Sequence, residues 1–467
     1  MTRRAAPWAL VLGLLVAVRA GCTPAETPSE WPREIAAAVE RPNVVLIIAD
    51  DLGYGDIGPY GGWIETPALD RLAADGLRFT DFHSSGNVCS PTRAGLMTGR
   101  YQQRVGIPGV LFANPARRSH HEGIGDGELT LAEAFRSAGY ATAVFGKWHL
   151  GYQPEFNPVR HGFDAFRGFV SGNVDYQSHI DAQGRADWWQ GDQLAPEEGY
   201  LTRLITDHAV EFIDAHRDQP FFLYLPHHAP HYPFQGPEDP SDRTLGGTFP
   251  NRGSAAEPRR AYREMVQAMD EGIGAVRDAL ERAGLSDRTL VWFMSDNGAT
   301  NVGSNGPLRG FKATDWEGGH RVPSLAAWPG RIAPGTETDA LSSTIDVMPT
   351  LLGLLGIEAG APLPGSSGVL PVPAFDGLGL GPVLFDGRAV AARRLFWGGD
   401  PAFWNGAAVR DGTWKLLIDE YDDAPGPPML FDLATDIGEE HDLAGEHPER
   451  VDELMAALEE WKAEVGQ

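Results

Sequence analysis

The chain has 467 residues, 42% of them hydrophobic and 22% charged, which excludes disorder throughout and suits a large folded domain with a smaller companion. Its formal net charge of -26 excludes nucleic acid and bare anionic lipid as partners, since both are repelled across a Debye length. Any anionic substrate then has to meet a local cluster of Lys, Arg and His within an acidic protein.

Residues 1–22 begin Met1-Thr2-Arg3-Arg4, continue through the apolar stretch Trp8 to Val18, and end on small residues before Cys22. This is the layout of a secretory signal, too short to span a bilayer comfortably, so an exported protein, periplasmic or extracellular, is expected. Cys22 after Ala20-Gly21 offers a lipid-attachment point, although Arg19 stands where such sites usually carry an apolar residue. A lipid anchor there is the one membrane contact to be weighed. Residues 23–41, rich in Pro, Glu, Thr and Ala, read as a linker. Removing the signal leaves Cys89, with or without Cys22, so no disulfide framework is expected and a lone cysteine needs another explanation.

At Pro42 the pattern changes, and residues 42–388 read as one large domain. Asn43 to Ala49 is a continuous apolar, β-branched run, as in a strand buried on both faces. Thr66-Pro67 opens a helix through Ala74, with Thr66 as its cap. Helical patterns then alternate with strands: Leu129 to Ala138 before Ala141 to Phe145, Leu201 to His216 before Phe221 to Leu225, and Arg260 to Ala283 before Thr289 to Ser295. Such alternation predicts an α/β fold, a layered domain with helices on both faces of a mixed, largely parallel sheet. A Gly/Pro-rich passage from Leu363 to Gly387 precedes a second unit, residues 389–467. Its short segments Arg394 to Trp397, Ala407 to Arg410, Thr413 to Ile418 and Pro428 to Asp432 predict an antiparallel sheet, with turns at Asp411-Gly412 and Pro425-Gly426. A final amphipathic helix, Pro448 to Val465, would cover it.

Two of the apolar strands end in oxygen-rich pairs, Asp50-Asp51 and Asp296-Asn297. Ligands gather at the carboxyl ends of strands in open α/β sheets, so the pairs can converge into a hard-oxygen site suited to calcium or magnesium. Each pair alone could equally cap a turn. In the segment Val88 to Arg100, Pro91 suits the first turn of a helix, which puts Cys89 at its N-terminus, where free N–H groups favour an anion, and Arg93 one turn on. By itself this segment admits a low-pKa thiolate nucleophile or a redox cysteine. His227, His228 and His231 do not read as a zinc site, because Pro226, Pro230 and Pro233 forbid the helix that would align them. His120-His121 reads as a surface loop.

The Cys89-x-Pro91-x-Arg93 pattern, in a segment ending Thr98-Gly99-Arg100, resembles the signature of the formylglycine-dependent sulfatases. Further motifs resemble that family in its order: Asp50-Asp51-Leu52-Gly53-Tyr54-Gly55-Asp56, Gly146-Lys147-Trp148-His149, His228-Ala229-Pro230-His231, Ser295-Asp296-Asn297-Gly298, and Gly310-Phe311-Lys312 with Glu317-Gly318-Gly319. Asn87 departs from the pattern, where a smaller residue is expected. The resemblance runs from Pro42 to Pro329, and Leu430-Phe431-Asp432-Leu433-Ala434 resembles the family's small domain. It implies an alkaline-phosphatase-like fold and a sulfuric ester hydrolase.

It further implies that Cys89 is oxidised by a maturation enzyme to formylglycine, whose hydrated aldehyde attacks sulfur with one hydroxyl and expels sulfate through the other. A plain serine would be left as a stable sulfate ester. Asp50, Asp51, Asp296, Asn297 and the formylglycine at 89 would hold one calcium ion. Arg93 and Lys147 would orient the diol, His149 would act as base, and His231 and Lys312 would grip the sulfate and aid departure of the alkoxide.

Gly303 to Leu308 with the Lys312 segment resembles carbohydrate sulfatases of the N-acetylgalactosamine-6-sulfatase and arylsulfatase type. That implies sulfated galactose or N-acetylgalactosamine units of a polysaccharide or glycosaminoglycan as substrate. The insertion carrying Asp175, Tyr176, His179, Trp188 and Trp189 offers hydrogen-bonding groups and aromatic faces for a sugar ring, or else packs its tryptophans on the body. Rival readings are an arylsulfatase of broad specificity, a two-zinc phosphoesterase of the same superfamily, and a sulfated-glycan-binding protein whose Cys89 is never matured.

Overall fold

The computed structural model describes residues 41–250, 253, 255–364, 371–399, 406–421 and 424–466. The expected signal, Cys22 and the linker up to residue 40 lie outside the described residues. A ten-stranded sheet forms the main body. At its centre β1 (Asn43–Ala49) and three further strands, β2 (Ala141–Lys147), β3 (Phe221–Pro226) and β4 (Thr289–Ser295), lie parallel in the order β4-β1-β3-β2. Outside β4 come Ser324–Ala327, Leu77–Phe79 and Thr336–Thr338, and outside β2 come Ala165–Phe169, Trp189–Gln190 and Gln193–Leu194. The sheet is mixed because Ser324–Ala327 and the last two strands run antiparallel to their neighbours. Every residue of β1 is buried, as its unbroken apolar run requires.

Alternation along β1 sends Val44, Leu46 and Ile48 into one core and Val45, Ile47 and Ala49 into the other. On the first face lies α1 (Cys89–Thr98), with Ala94, Leu96 and Met97 packed into the core. On the second lie α2 (Leu201–Ala215) and α3 (Pro258–Arg282). The predicted helices and central strands are present to within a few residues. The outer strands were not anticipated: they are two to five residues long, and backbone ladders rather than hydrophobic period hold them in place.

Thr66 does not cap the helix Pro67–Ala74 as expected. Its hydroxyl accepts from the Gly58 amide, while the Asp270 carboxylate, on α3, accepts from the Ala68 and Leu69 amides at 2.9 and 2.8 Å. The cap thus comes from a residue some two hundred positions away. Replacing Asp270 with Ala should cost ~2–3 kcal/mol, since two buried N–H groups lose their acceptor. Urea unfolding measures it, and a loss below ~0.5 kcal/mol would mean that the cap is idle.

The carboxyl-terminal strands Arg394–Gly398, Ala407–Asp411, Trp414–Ile418 and Met429–Asp432 form the expected antiparallel sheet, covered by the helix Pro448–Val465. Gly412 makes the expected turn with a φ of 59°. Pro425, expected in a turn, instead ends a short ladder pairing Glu420–Tyr421 with Ala424–Pro425. This sheet meets the main body through a buried ion network. Lys415 pairs with Glu317 at 3.1 Å and Glu439 at 2.8 Å, Arg410 reaches both Glu317 and Asp81, and the Trp316 indole donates to Asp419. Burial alone would push Glu317 up, but Lys415, His83 and Arg410 hold its carboxyl well below the usual range. His120, expected on a surface loop, is buried with its ring stacked on Tyr152 at 4.8 Å. Among the described residues, no helix is long and apolar enough to cross a membrane.

Candidate active site

The site forms where the central strands end. Ala49 of β1 lies opposite Ser295 of β4, so Asp50-Asp51 and Asp296-Asn297 leave the sheet at one level. β2 ends on Lys147, two residues longer than predicted, and β3 runs into His228 and His231. From the first face α1 presents its N-terminus, with Cys89 as its first residue and no side-chain cap on Val88. The first-turn amides of α1 therefore remain available to an anion.

These groups touch one another. Cys89 Sγ lies 3.3 Å from Asp50 Oδ1 and 3.3 Å from Lys312 Nζ. Lys147 Nζ donates to Asp50 Oδ2 at 2.6 Å, and Lys312 Nζ pairs with Asp51 Oδ1 at 2.6 Å. Arg93, fully buried, donates to Asp296 Oδ2 from Nε and Nη2 at 3.0 and 2.8 Å and to the Lys147 carbonyl from Nη1. It thus buttresses the carboxylates, with Asp50 3.8 Å away. Asn297 Nδ2 donates to Asp51 Oδ1 at 2.7 Å. His228, to which the sequence assigned no role, places Nδ1 3.3 Å from Asp50 Oδ2.

Three buried carboxylates so close together repel one another. Burial first, and then Asp50, push Asp296 up to about 7; burial also raises Asp51, against the pull of Lys312. Burial opposes ionisation of Asp50 as well, but Lys147 and His231 hold it well below its usual value. Two hard oxygens here, Asp51 Oδ2 and Asn297 Oδ1, are buried without a hydrogen-bond partner. Asp51 Oδ2 faces His231 Nε2 at 3.6 Å, and because His231 Nδ1 donates to the Tyr232 carbonyl, Nε2 presents a lone pair. Acceptors facing one another across a buried gap fit a divalent cation, and Asp50, Asp51, Cys89 and His231 form one of the two clusters of potential ligands among the described residues. The other, His83, Glu317 and His320, already has Lys415, Arg321 and Arg410 on Glu317.

Cys89 itself is only 2% exposed, and burial followed by Asp50 pushes its thiol far above the ordinary cysteine range. An unmodified thiolate nucleophile, open from the sequence, is therefore disfavoured by the surroundings. His149, in the left-handed region at φ 55°, lines the cleft above Cys89. Its Nε2 lies 2.8 Å from the Leu111 carbonyl, which can only accept, so Nε2 carries the proton and the unpartnered Nδ1 the lone pair. Burial, then Lys147, holds the imidazole well below its usual pKa, hence neutral.

A cleft of about 680 Å³ opens over this site, with Cys89, His149, His231 and Lys312 in its wall. None of the five residues expected to meet sugar lines it. Asp175 is buried and accepts from the Gln177, Ser178, Asp242 and Arg243 amides. Tyr176 is buried beneath His231, donating to its carbonyl and stacking on His228 at 4.8 Å. His179 bonds the Gly199 carbonyl, Trp188 is buried with its indole on Glu197, and Trp189 sits half-buried in an outer strand with its indole on Asp187. Of the two readings of this insertion, the packed one matches the geometry: it supports His231 from behind. The cleft aromatics are instead Phe112, Tyr152, Tyr232 and Phe311. Phe311 stood in a quoted motif, but an isolated aromatic carries no period to single it out.

A strand-end site of this kind, on this sheet order, is that of an alkaline-phosphatase-like hydrolase. The Sulfatase family model matches residues 42–357, and the chain belongs to that family; it is a sulfuric ester hydrolase. It is 35% identical to arylsulfatase A of Bos taurus, over 91% of this chain and 87% of the relative, and 32% identical to N-acetylgalactosamine-6-sulfatase of Homo sapiens, over 91% and 86%. Among solved structures it is similar to Ps i-CgsB in complex with k-i-k-neocarrahexaose, at 29% identity and a TM-score of 0.77, covering 90% of this chain and 93% of that one. The fold extends to the phosphonate monoester hydrolase of Agrobacterium radiobacter, at 22% identity and a TM-score of 0.61, covering 89% and 96%.

Proposed function

We propose that the chain is an exported carbohydrate sulfatase that cleaves sulfate monoesters from galactose or N-acetylgalactosamine units of polysaccharide or glycosaminoglycan fragments, using formylglycine made from Cys89 and one calcium ion. The observation that carries this reading is the meeting of Cys89 with Asp50, Lys312 and Asp51, whose Oδ2 is buried without a hydrogen-bond partner. The names of the relatives, an N-acetylgalactosamine-6-sulfatase among them, support the substrate class.

Residue 89 as formylglycine would supply a hydrated aldehyde, with one hydroxyl as nucleophile toward sulfur and a second as the exit route for sulfate. Asp50, Asp51, Asp296 and Asn297 together with residue 89 would hold the calcium, which would supply positive charge for a sulfate oxygen. Lys147 and Arg93 fix the carboxylates beside residue 89 and add positive charge there. His149 accepts a proton at Nδ1. Lys312 binds the sulfate, and His231 protonates at Nε2 as the anion arrives and then donates toward the departing alkoxide, where charge develops. Export, with Cys22 as an optional lipid-attachment point, and service by a formylglycine-generating enzyme complete the reading.

Peptide mass spectrometry at residue 89 of protein from the native host, with a panel of position-defined sulfated galactose, N-acetylgalactosamine and glucosamine oligosaccharides, tests it. Oxidised residue 89 with release of sulfate from a galactose-type sugar is expected. An unmodified thiol in fully active protein would remove formylglycine from the account.

A further inference from the structure

We infer that Phe311 is the stacking platform for the pyranose ring that carries the sulfate; this rests on the carbohydrate-sulfatase reading above. Three large hydrophobic side chains are strongly exposed among the described residues, Leu194, Leu245 and Phe311, and of these Phe311, 48% exposed, lines the cleft. Its sequence neighbour Lys312 reaches Cys89 Sγ at 3.3 Å. The aromatic ring is thus presented to solvent at the mouth of the reaction site, where exposure is unfavourable until something apolar covers it.

Its backbone is held firmly. The Phe311 amide donates to Thr314 Oγ1 at 3.2 Å, and its carbonyl accepts from the Thr314 amide and hydroxyl at 3.1 and 2.7 Å. On the far side the Lys312 amide donates to Ala299 and the Ala313 amide to Asn87, both through carbonyls. Gly310 has a φ of 86°, and a Cβ there would fall 2.6 Å from Trp316 Cβ, so the turn leading into Phe311 tolerates little else. A fixed backbone carrying a side chain with two torsions gives a surface that loses little entropy on binding.

A pyranose matches what surrounds this surface. Its C–H face packs on an aromatic ring, while its hydroxyl edge needs hydrogen-bonding partners. Thr300 Oγ1, buried and unpartnered, lies in the wall of the same cleft beside Asn301, and Tyr232 in that wall has its ring centre 5.6 Å from Lys312 Nζ. The tryptophans that the sequence offered for this role are committed to Glu197 and Asp187.

The test compares matured, calcium-loaded wild type, Phe311→Ala and Phe311→Trp on sulfated galactose and N-acetylgalactosamine oligosaccharides, with inorganic sulfate as product inhibitor. Phe311→Ala should raise KM about tenfold through lost apolar cover, leave the sulfate inhibition constant within about twofold, and be rescued by Phe311→Trp. An unchanged KM overturns the platform alone. A rise of KM and sulfate constant together overturns it too, making Phe311 a prop for Lys312. Wild type that releases sulfate from none of these sugars overturns the carbohydrate reading and this inference with it.

Discussion

Replacing Cys89 with Ala should reduce turnover by about 10⁴-fold or more while the protein stays folded, since loss of a nucleophile removes the covalent route and leaves only binding. The side chain is small, buried and flanked by Asp50 and Lys312, so trimming it to Ala costs at most ~1 kcal/mol of packing. Circular dichroism and the melting temperature should therefore match wild type. Cys89→Ser is the sharper companion, because a serine has a single oxygen and no route to shed a bound sulfo group without a second attack at sulfur. It should give at most one turnover. Multiple turnovers by Cys89→Ser, or Cys89→Ala activity within about a hundredfold of wild type, would show that residue 89 is not the nucleophile.

Chelation should lower activity and melting temperature together. A cation bound only by the native state stabilises it by ~2.7 kcal/mol at a hundredfold excess over Kd, and that contribution vanishes with the ion. The sign with pH follows from the raised pKa values of Asp51 and Asp296. In metal-free protein these carboxyls bind protons in a window, from the ordinary carboxylate range up to neutrality, where the unfolded chain does not. Metal-free protein therefore gains stability as pH falls through that window, while protons compete with the cation. The melting-temperature increment from added calcium should be largest at and above neutral pH and shrink on acidification. Full activity without metal, or an increment that grows in acid, would remove the cation from the Asp and Asn cluster.

Much of this site was legible in the sequence because parallel neighbours end in register. Once β1 and β4 are read as buried strands, their terminal Asp50-Asp51 and Asp296-Asn297 have few places to go but together. Cys89 was legible through Pro91, which marks the start of α1. What the sequence concealed depends on side-chain direction across long separations. Nothing near Pro67 announces that Asp270 will cap it, and nothing in the composition of the insertion distinguishes a tryptophan that packs from one that faces a ligand. Nor does local pattern show that Arg93 is spent on Asp296 rather than turned toward the anion, a choice made by the end of β4.

The ion network beneath the small sheet has a temporal consequence. The stretch from Arg309 to Arg321, which carries Lys312, is held by groups that come more than ninety residues later: Arg309 donates to the Glu439 carbonyl, Glu317 takes its amide partner from Glu439, and Lys415 joins both carboxylates. During synthesis the four central strands are complete long before Lys415 and Glu439 emerge. Until they do, Glu317 is a carboxylate awaiting its cation, and the segment bearing Lys312 lacks its foundation. Competence therefore waits for the segment that carries Lys415 and Glu439, and a nascent protein cut short before it would be inert despite an intact set of strand-end ligands.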